Sequence, residues 1–261
     1  MSHSFNSNAL GFGGVITAPK RALIPSVASA VLAPTGGFGS ATVTDYHYGD
    51  LISIGEARSE VFGTPTLDGG FFARARVLLT NVDVTDVLHA DFLEATVTST
   101  KGGRPEDVPL IELDATYHGL TIFGLPVAPV LDLGFFNTRP EYQQLADTTA
   151  TADLAATSLV KKQKTDSEML RGTIVKAGND IPAARRAGAE FTIPTFGTVY
   201  LGEVLVKKAR RRLNMLRISL DSKTPFEVDT REAAVESKGG GGFDGFATFG
   251  SADSNGSEIY P

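Results

Sequence analysis

The chain of 261 residues contains no cysteine, only four histidines and only three methionines. Without cysteine there is no disulfide, no thiolate metal site and no thiol nucleophile. That absence fits many exported bacterial proteins and many cytoplasmic ones, so it excludes chemistry rather than assigning a compartment. No apolar run approaches the roughly 18 to 20 residues of a membrane span. The opening "MSHSFNSNALGFGGVI" lacks a basic segment followed by an apolar one, so it does not read as a signal peptide. On that reading the protein is either not exported or is a mature form behind an added Met. Cationic excess is also missing: the formal net charge is −6, which offers no general attraction to nucleic acid or an anionic membrane.

Catalytic signatures are equally sparse. No HExxH, GxSxG or GxxxxGK[ST] motif occurs, and no calcium loop of the EF-hand type. "GGGFDG" matches GxGxxG at Gly240, Gly242 and Gly245, but no helix follows it, so the match reads as chance.

What is present is strand patterning. Thr, Val, Ile, Leu and Phe alternate with polar residues, and Gly or Pro punctuates at short intervals. Strands are expected near 22–32, 40–48, 50–61, 71–80, 82–90 and 92–100. In "FARARVLLTNVDV", Ala73, Ala75, Val77 and Leu79 share one face while Arg74 and Arg76 share the other, the mark of a sheet with one wet side. Two strands should flank a turn at His118-Gly119, with Pro126 and Pro129 marking an edge or bend. One short helix is expected near 140–146. Strand patterning then returns, with Val199, Leu201, Leu216, Ile218 and Leu220 inward.

The chain also writes one passage twice. "TDYHYGDLISIGEARSEV" from Thr44 aligns with "TNVDVTDVLHADFLEATV" from Thr80, pairing Asp45 with Asn81, Asp50 with Asp86, and Glu56-Ala57 with Glu94-Ala95. Such a spacing means a copied supersecondary unit. Two strand-turn-strand units, at 44–61 and 80–97, each need a neighbour to bury an apolar face, so they should pack together in one all-β body. A β-sandwich is the expectation and a short β-solenoid the alternative. The domain would span 1–238, with residues 239–261 as a Gly/Phe-rich C-terminal tail.

Four groups are candidates for function. His47, His89 and His118 lie inside the folded part, and His89 is near Asp83, Asp86, Asp91 and Glu94. Asp83, Asp86, His89 and Asp91 form an alternative ligand face, suited to a glycan or to calcium through oxygen ligands, with a solvated polar face as the plain reading. Glu112 and Asp114 share one strand face. Lys207, Lys208, Arg210, Arg211 and Arg212, with Arg217, crowd one short stretch; they read as edge protection or a hairpin turn, or as a surface for an acidic partner. Phe243, Phe246 and Phe249 recur every third residue in the tail, which could dock on a neighbouring subunit or add a strand to an exposed edge.

Several stretches follow one another in a familiar order. These are "SNALGFGGVITAPKRALIPSVASAVLAPTGGFGSATV", "LISIGEARSEVFG", "ARVLLTNVDVTDVLHADFLEATVTSTKGG" and "ATYHGLTIFGLPV", with "RRLNMLRISL" and "FEVDTREAAVES" closing. Over about residues 8–237 this order resembles the bacterial choice-of-anchor P proteins. The resemblance implies an exported, cell-surface or secreted protein of actinomycete-type bacteria with an interchangeable C-terminal anchor, and it transfers no catalytic residue. The chain departs from that pattern in lacking a signal peptide, in its charge at 207–217, and in carrying a Gly-Phe tail where an anchor would stand.

The expectation is therefore a non-catalytic structural or interaction protein of a bacterial exterior. It would assemble with copies of itself through sheet edges and the tail, without cofactor, nucleic acid or membrane span. A viral coat or tail subunit fits the same features. The alternatives are a carbohydrate-binding module or glycan-active enzyme using the acidic face, and a cytoplasmic scaffold.

Overall fold

A computed structural model describes residues 2–18, 22–104, 106–139, 141–151, 161–163, 169–194, 196–207, 210–224 and 243–260. The first seven strands run almost without interruption: β1 (Ser2–Ala18), β2 (Ala22–Val31), β3 (Gly37–Tyr48), β4 (Ile52–Pro65), β5 (Phe71–Val84), β6 (Leu88–Lys101) and β7 (Leu110–His118). Short elements follow: β8 (Thr121–Ile122), β9 (Leu125–Pro126), β10 (Val130–Leu131), α1 (Leu133–Asn137), α2 (Tyr142–Thr151) and β11 (Lys161–Gln163). The chain then forms β12 (Met169–Thr173), β13 (Val175–Ala177), β14 (Arg185–Ala187), β15 (Glu190–Ile193), β16 (Gly197–Lys207), β17 (Arg210–Thr224) and β18 (Phe243–Tyr260).

These strands make a two-layer sandwich. The first sheet, A, runs β11-β12-β16-β17-β18-β1-β2, with β15 also on β16 and β14 on β15. The second, B, runs β3-β4-β5-β6-β8-β9, with β7 on β6. Their pairings are antiparallel, which is a sandwich rather than the parallel coils of a solenoid. The alternation in β5 sends Ala73, Ala75, Val77 and Leu79 inward, all fully buried, as the sequence predicts. Aromatic contacts fill the interior: Phe12 stacks on Phe249 at 4.6 Å, tilts against Tyr46 of sheet B at 5.8 Å, and Phe5 meets Phe71 edge-on at 6.2 Å. The Tyr117 hydroxyl ties sheet B to sheet A by donating to the Met215 carbonyl at 2.7 Å.

The written repeat is the pair of hairpins β3-β4 and β5-β6, side by side through β4 and β5. Its Thr44-Asp45 and Thr80-Asn81 mark a crease across the sheet. The ladder skips Asp45, Gly55, Asn81 and Asp91 at one level of β3, β4, β5 and β6, and Gly119 follows beside Asp91. Asp45, Asn81 and Gly119 have positive φ (52°, 49° and 62°), so every second strand of the row turns left-handed. Asn and Asp tolerate that region better than other side chains, which is why the repeat places them there. Sheet A carries a matching row: Gly202, Met215, Gly250, Gly11 and Ala28 are skipped on β16, β17, β18, β1 and β2. There Gly202, Gly250 and Ala28 have positive φ (58°, 61° and 49°). At Gly11 the sheets approach so closely that a Cβ would lie 2.9 Å from the Ala57 Cβ.

Several elements differ from expectation, beginning with β1, a strand over Ser2–Ala18 where none is expected. The strand expected at 82–90 straddles a turn: Thr85 and Asp86 have φ of 54° and 56°, β5 stops at Val84 and β6 starts at Leu88. Thr-Asp lacks the Asn-Gly signature of such tight hairpins, so the apolar residues on either side merge in the sequence. The helix expected near 140–146 is α2, Tyr142–Thr151, which buries Leu145; residue 140 lies outside the described residues. A second helix, α1, was not anticipated; the Asp132 carboxylate starts it by accepting from the Phe135 N–H at 3.2 Å.

The C-terminal tail is the main correction. Residues 243–260 form β18, which pairs with β17 on one side and β1 on the other in the middle of sheet A. Phe249 is fully buried against Phe12, and the Ser7 hydroxyl donates to Ser254 at 2.8 Å inside the sandwich. The tail adds a strand, but to its own sheet; residues 239–242 lie outside the described residues.

Candidate functional site

Sheet A presents two arginine clamps on its outer face. Strand alternation points Glu203 of β16 outward, opposite Asn214 of β17, and sets Arg171 and Arg217 on either side. Glu203 accepts from Arg171 Nε at 2.5 Å, from Arg217 Nε at 3.0 and 3.1 Å, and from Asn214 Nδ2 at 3.0 Å. Its side chain is only 6% exposed. Both guanidiniums also lie over the Tyr200 ring, at 4.9 and 3.7 Å from its centroid. Beside them a hollow of about 40 Å³ is lined by Arg171, Thr173, Glu190, Tyr200 and Glu203.

The second clamp holds Asp253 of β18. Arg210 and Arg212 flank it, with closest nitrogen-oxygen distances of 2.7 and 3.0 Å, and the carboxylate is 1% exposed beneath them. That hydrogen bond raises the Arg210 guanidinium above its ordinary value.

Between Arg210 and Arg212, Arg211 points the other way. Its guanidinium is buried and donates to three backbone carbonyls: Phe136 at 2.7 Å, Ile111 at 3.3 Å, and Arg139. Burial pushes its pKa down to about 10, still well above neutrality, so the charge persists and holds the end of α1 against both sheets. Of the predicted basic cluster, then, Lys207, Arg210 and Arg212 face outward around the β16-β17 hairpin, Arg211 is structural, and Lys208 lies outside the described residues. The hairpin reading of that stretch matches the pairing of Lys207 with Arg210.

Sheet B is acidic on its outer face. Glu112 and Asp114 alternate with buried Ile111 and Leu113 on β7 and stand exposed. Glu60 and Glu94 share Arg76, at 3.5 and 2.6 Å, and Arg58 bonds Glu60 at 2.6 Å. At the creased end the predicted ligand face assembles in part. His89 Nε2 is 3.0 Å from Asp91 Oδ1, His89 Nδ1 is 3.7 Å from Asp83 Oδ2, and His118 Nδ1 is 3.3 Å from Asp91 Oδ2. Hydrogen bonding from His89, with His118 adding to it, holds the Asp91 carboxyl below the usual range. Asp86 sits in the adjoining turn, where its N–H donates to Asp83 Oδ1 at 3.2 Å. Among the described residues no group of three or more His, Asp or Glu is placed to hold a metal ion.

The remaining candidates belong to edges or the core. His47 lies exposed on β3, opposite Ser53. Phe243 and Phe246 pair through β18 with Thr224 and Ser219, and Phe249 is core. Sequence reasoning missed Glu203, Asp253, Arg171 and Tyr200. Glu203 had a visible signal, a lone acid in the apolar run "YLGEVLV"; Asp253 had none, being some forty residues from the arginines that cover it.

A family model described as Domain of unknown function (DUF8256) matches residues 3–173. The match takes in all of sheet B together with β1, β2, β11 and β12 of sheet A, and stops before β16, β17 and β18. No curated protein and no solved structure matches the chain.

Proposed function

We propose that this chain, which belongs to the DUF8256 family, is a non-catalytic structural or interaction protein of a bacterial exterior that associates with copies of itself through open sheet edges. The observation that carries the reading is the contrast between its edges. Among the described residues β2 pairs only with β1, and β3 only with β4. Across both strands Asp45 is the only carboxylate, and there is no Lys or Arg. They also expose Leu23, Val31 and Phe38, at 78%, 70% and 67%. Proteins that must stay apart blunt such edges with charge or proline, as Glu112 and Asp114 do on β7 and Pro25 does in β2, whereas β3 has no proline and a single charge. A long uncharged edge with exposed apolar side chains is the template for strand addition. The exterior location is supported by the resemblance in sequence order to choice-of-anchor P proteins.

The test is the mass of the full chain in solution over a range of concentration, beside Thr42→Lys/Thr44→Lys, which puts two cations on exposed positions of β3. The mass should rise with concentration for the parent and rise less for the variant. A parent that is monomeric throughout, or a variant that associates as the parent does, refutes the reading.

A glycan-binding role has one observation in its favour: Asp83, His89, Asp91 and His118 line up in an exposed row across β5, β6 and β7. Glycan-array binding lost in Asp91→Asn would favour it.

A further inference from the structure

The two outer faces of the sandwich carry opposite charge. On sheet A, Arg171, Lys207, Arg210, Arg212 and Arg217 point outward; the four arginines share Glu203 and Asp253, and Glu190 is the third carboxylate beside them. On sheet B, Glu56, Glu60, Glu94, Glu112 and Asp114, joined by the Asp83-Asp91 row, outnumber Arg58, Arg74 and Arg76. In a chain with a net charge of −6, the outer face of sheet A is thus the one where cations outnumber carboxylates.

The basic face is also pre-organised. Glu203 accepts from the Nε of Arg171 and of Arg217 while both guanidiniums lie over the Tyr200 ring, which fixes two partly exposed cations on this face. Arg210 and Arg212 are 39% and 41% exposed while fixed on Asp253. An arginine fork that is already immobilised loses little entropy on pairing with an oxyanion.

We propose that the basic outer face of sheet A in one copy docks on the acidic outer face of sheet B in the next, so that copies of this chain stack. This rests on the self-association reading and adds a second contact to it. Because the two surfaces differ, the contact is heterologous and propagates from copy to copy, as a stack or a ring, rather than ending in a closed pair. Edge pairing works through backbone hydrogen bonds and apolar side chains; face stacking works through charge, and salt separates the two.

Light scattering of the full chain over a concentration series at about 20 mM and about 500 mM NaCl tests this. The expected result is growth in mass at low salt that falls back at high salt to the species held by edges. Glu112→Lys/Asp114→Lys alters two exposed residues, should keep the parent's circular dichroism, and should lose the salt-sensitive growth alone. Lys207→Glu should weaken that growth from the other face. Low-salt growth over a high-salt monomer would keep stacking and remove edge association. A mass independent of salt, or a double variant that grows as the parent does, overturns stacking. Capture of heparin by a parent that never self-associates overturns it too, assigning the basic face to an acidic polymer.

Discussion

On sheet A, Glu203 and Asp253 lie at 6% and 1% side-chain exposure, each beneath a pair of arginines; on sheet B, Glu112 and Asp114 stand in solvent on a strand with charge as its only defence. The residue types are the same and the environments opposite. A carboxylate covered by two guanidiniums fastens neighbouring strands, here β12, β16 and β17 in one clamp and β17 with β18 in the other. Glu112 and Asp114, exposed on β7, are available for recognition. Burial, rather than residue identity, decides which task a surface charge performs.

Breaking the contrast at its strongest point means removing a strand of sheet A. A chain ending before Phe243 lacks β18, opens both β1 and β17, and strips the cover from Phe12; it should lose cooperative thermal unfolding altogether. Next, Glu203→Ala should cost about 2 to 4 kcal/mol in chemical denaturation, because Asn214 and two partly covered arginines lose their acceptor. Glu112→Ala should stay within about 0.5 kcal/mol, as exposed surface changes do. The creases differ less. Asn81→Val places a β-branched residue at φ 49° on an exposed position and should cost about 1 to 2 kcal/mol, whereas Asn81→Gly should be close to neutral. The smallest effect concerns Asp91. Its carboxyl titrates below the usual range because His89 hydrogen-bonds it, so the interaction is present above the ordinary carboxylate value and fades as pH falls through the lowered one. An NMR titration should show that midpoint move upward in His89→Ala.

Sheet B was legible because its signal is local. Alternation of period two in "FARARVLL" and the Thr44/Thr80 repeat both report neighbours in sequence that are neighbours in space. Sheet A was legible only in pieces, since β18 pairs residue 254 with residue 7, and Gly-rich composition at 238–242 outweighed the apolar alternation that follows. The basic run showed the same limit. Alternation puts Arg210 and Arg212 on one face and Arg211 on the other, but nothing nearby says that the inward arginine meets the carbonyls of Ile111 and Phe136. The Asp83, His89 and Asp91 grouping could be read because all three flank one hairpin; His118 joined them only once β7 had paired with β6.

The position of β18 bears on how the chain is made. Synthesis runs from β1 towards β18, so the hairpins of sheet B can zip as they leave the ribosome, while β1, paired early with β2, keeps its second edge open until β18 is made. Until then the first strand and β17 both offer bare edges to any other nascent chain. Closure of sheet A joins positions 247 residues apart, as at Ser7 and Ser254, a long-range step of the kind that folds slowly and leaves edges open to aggregation until it is made.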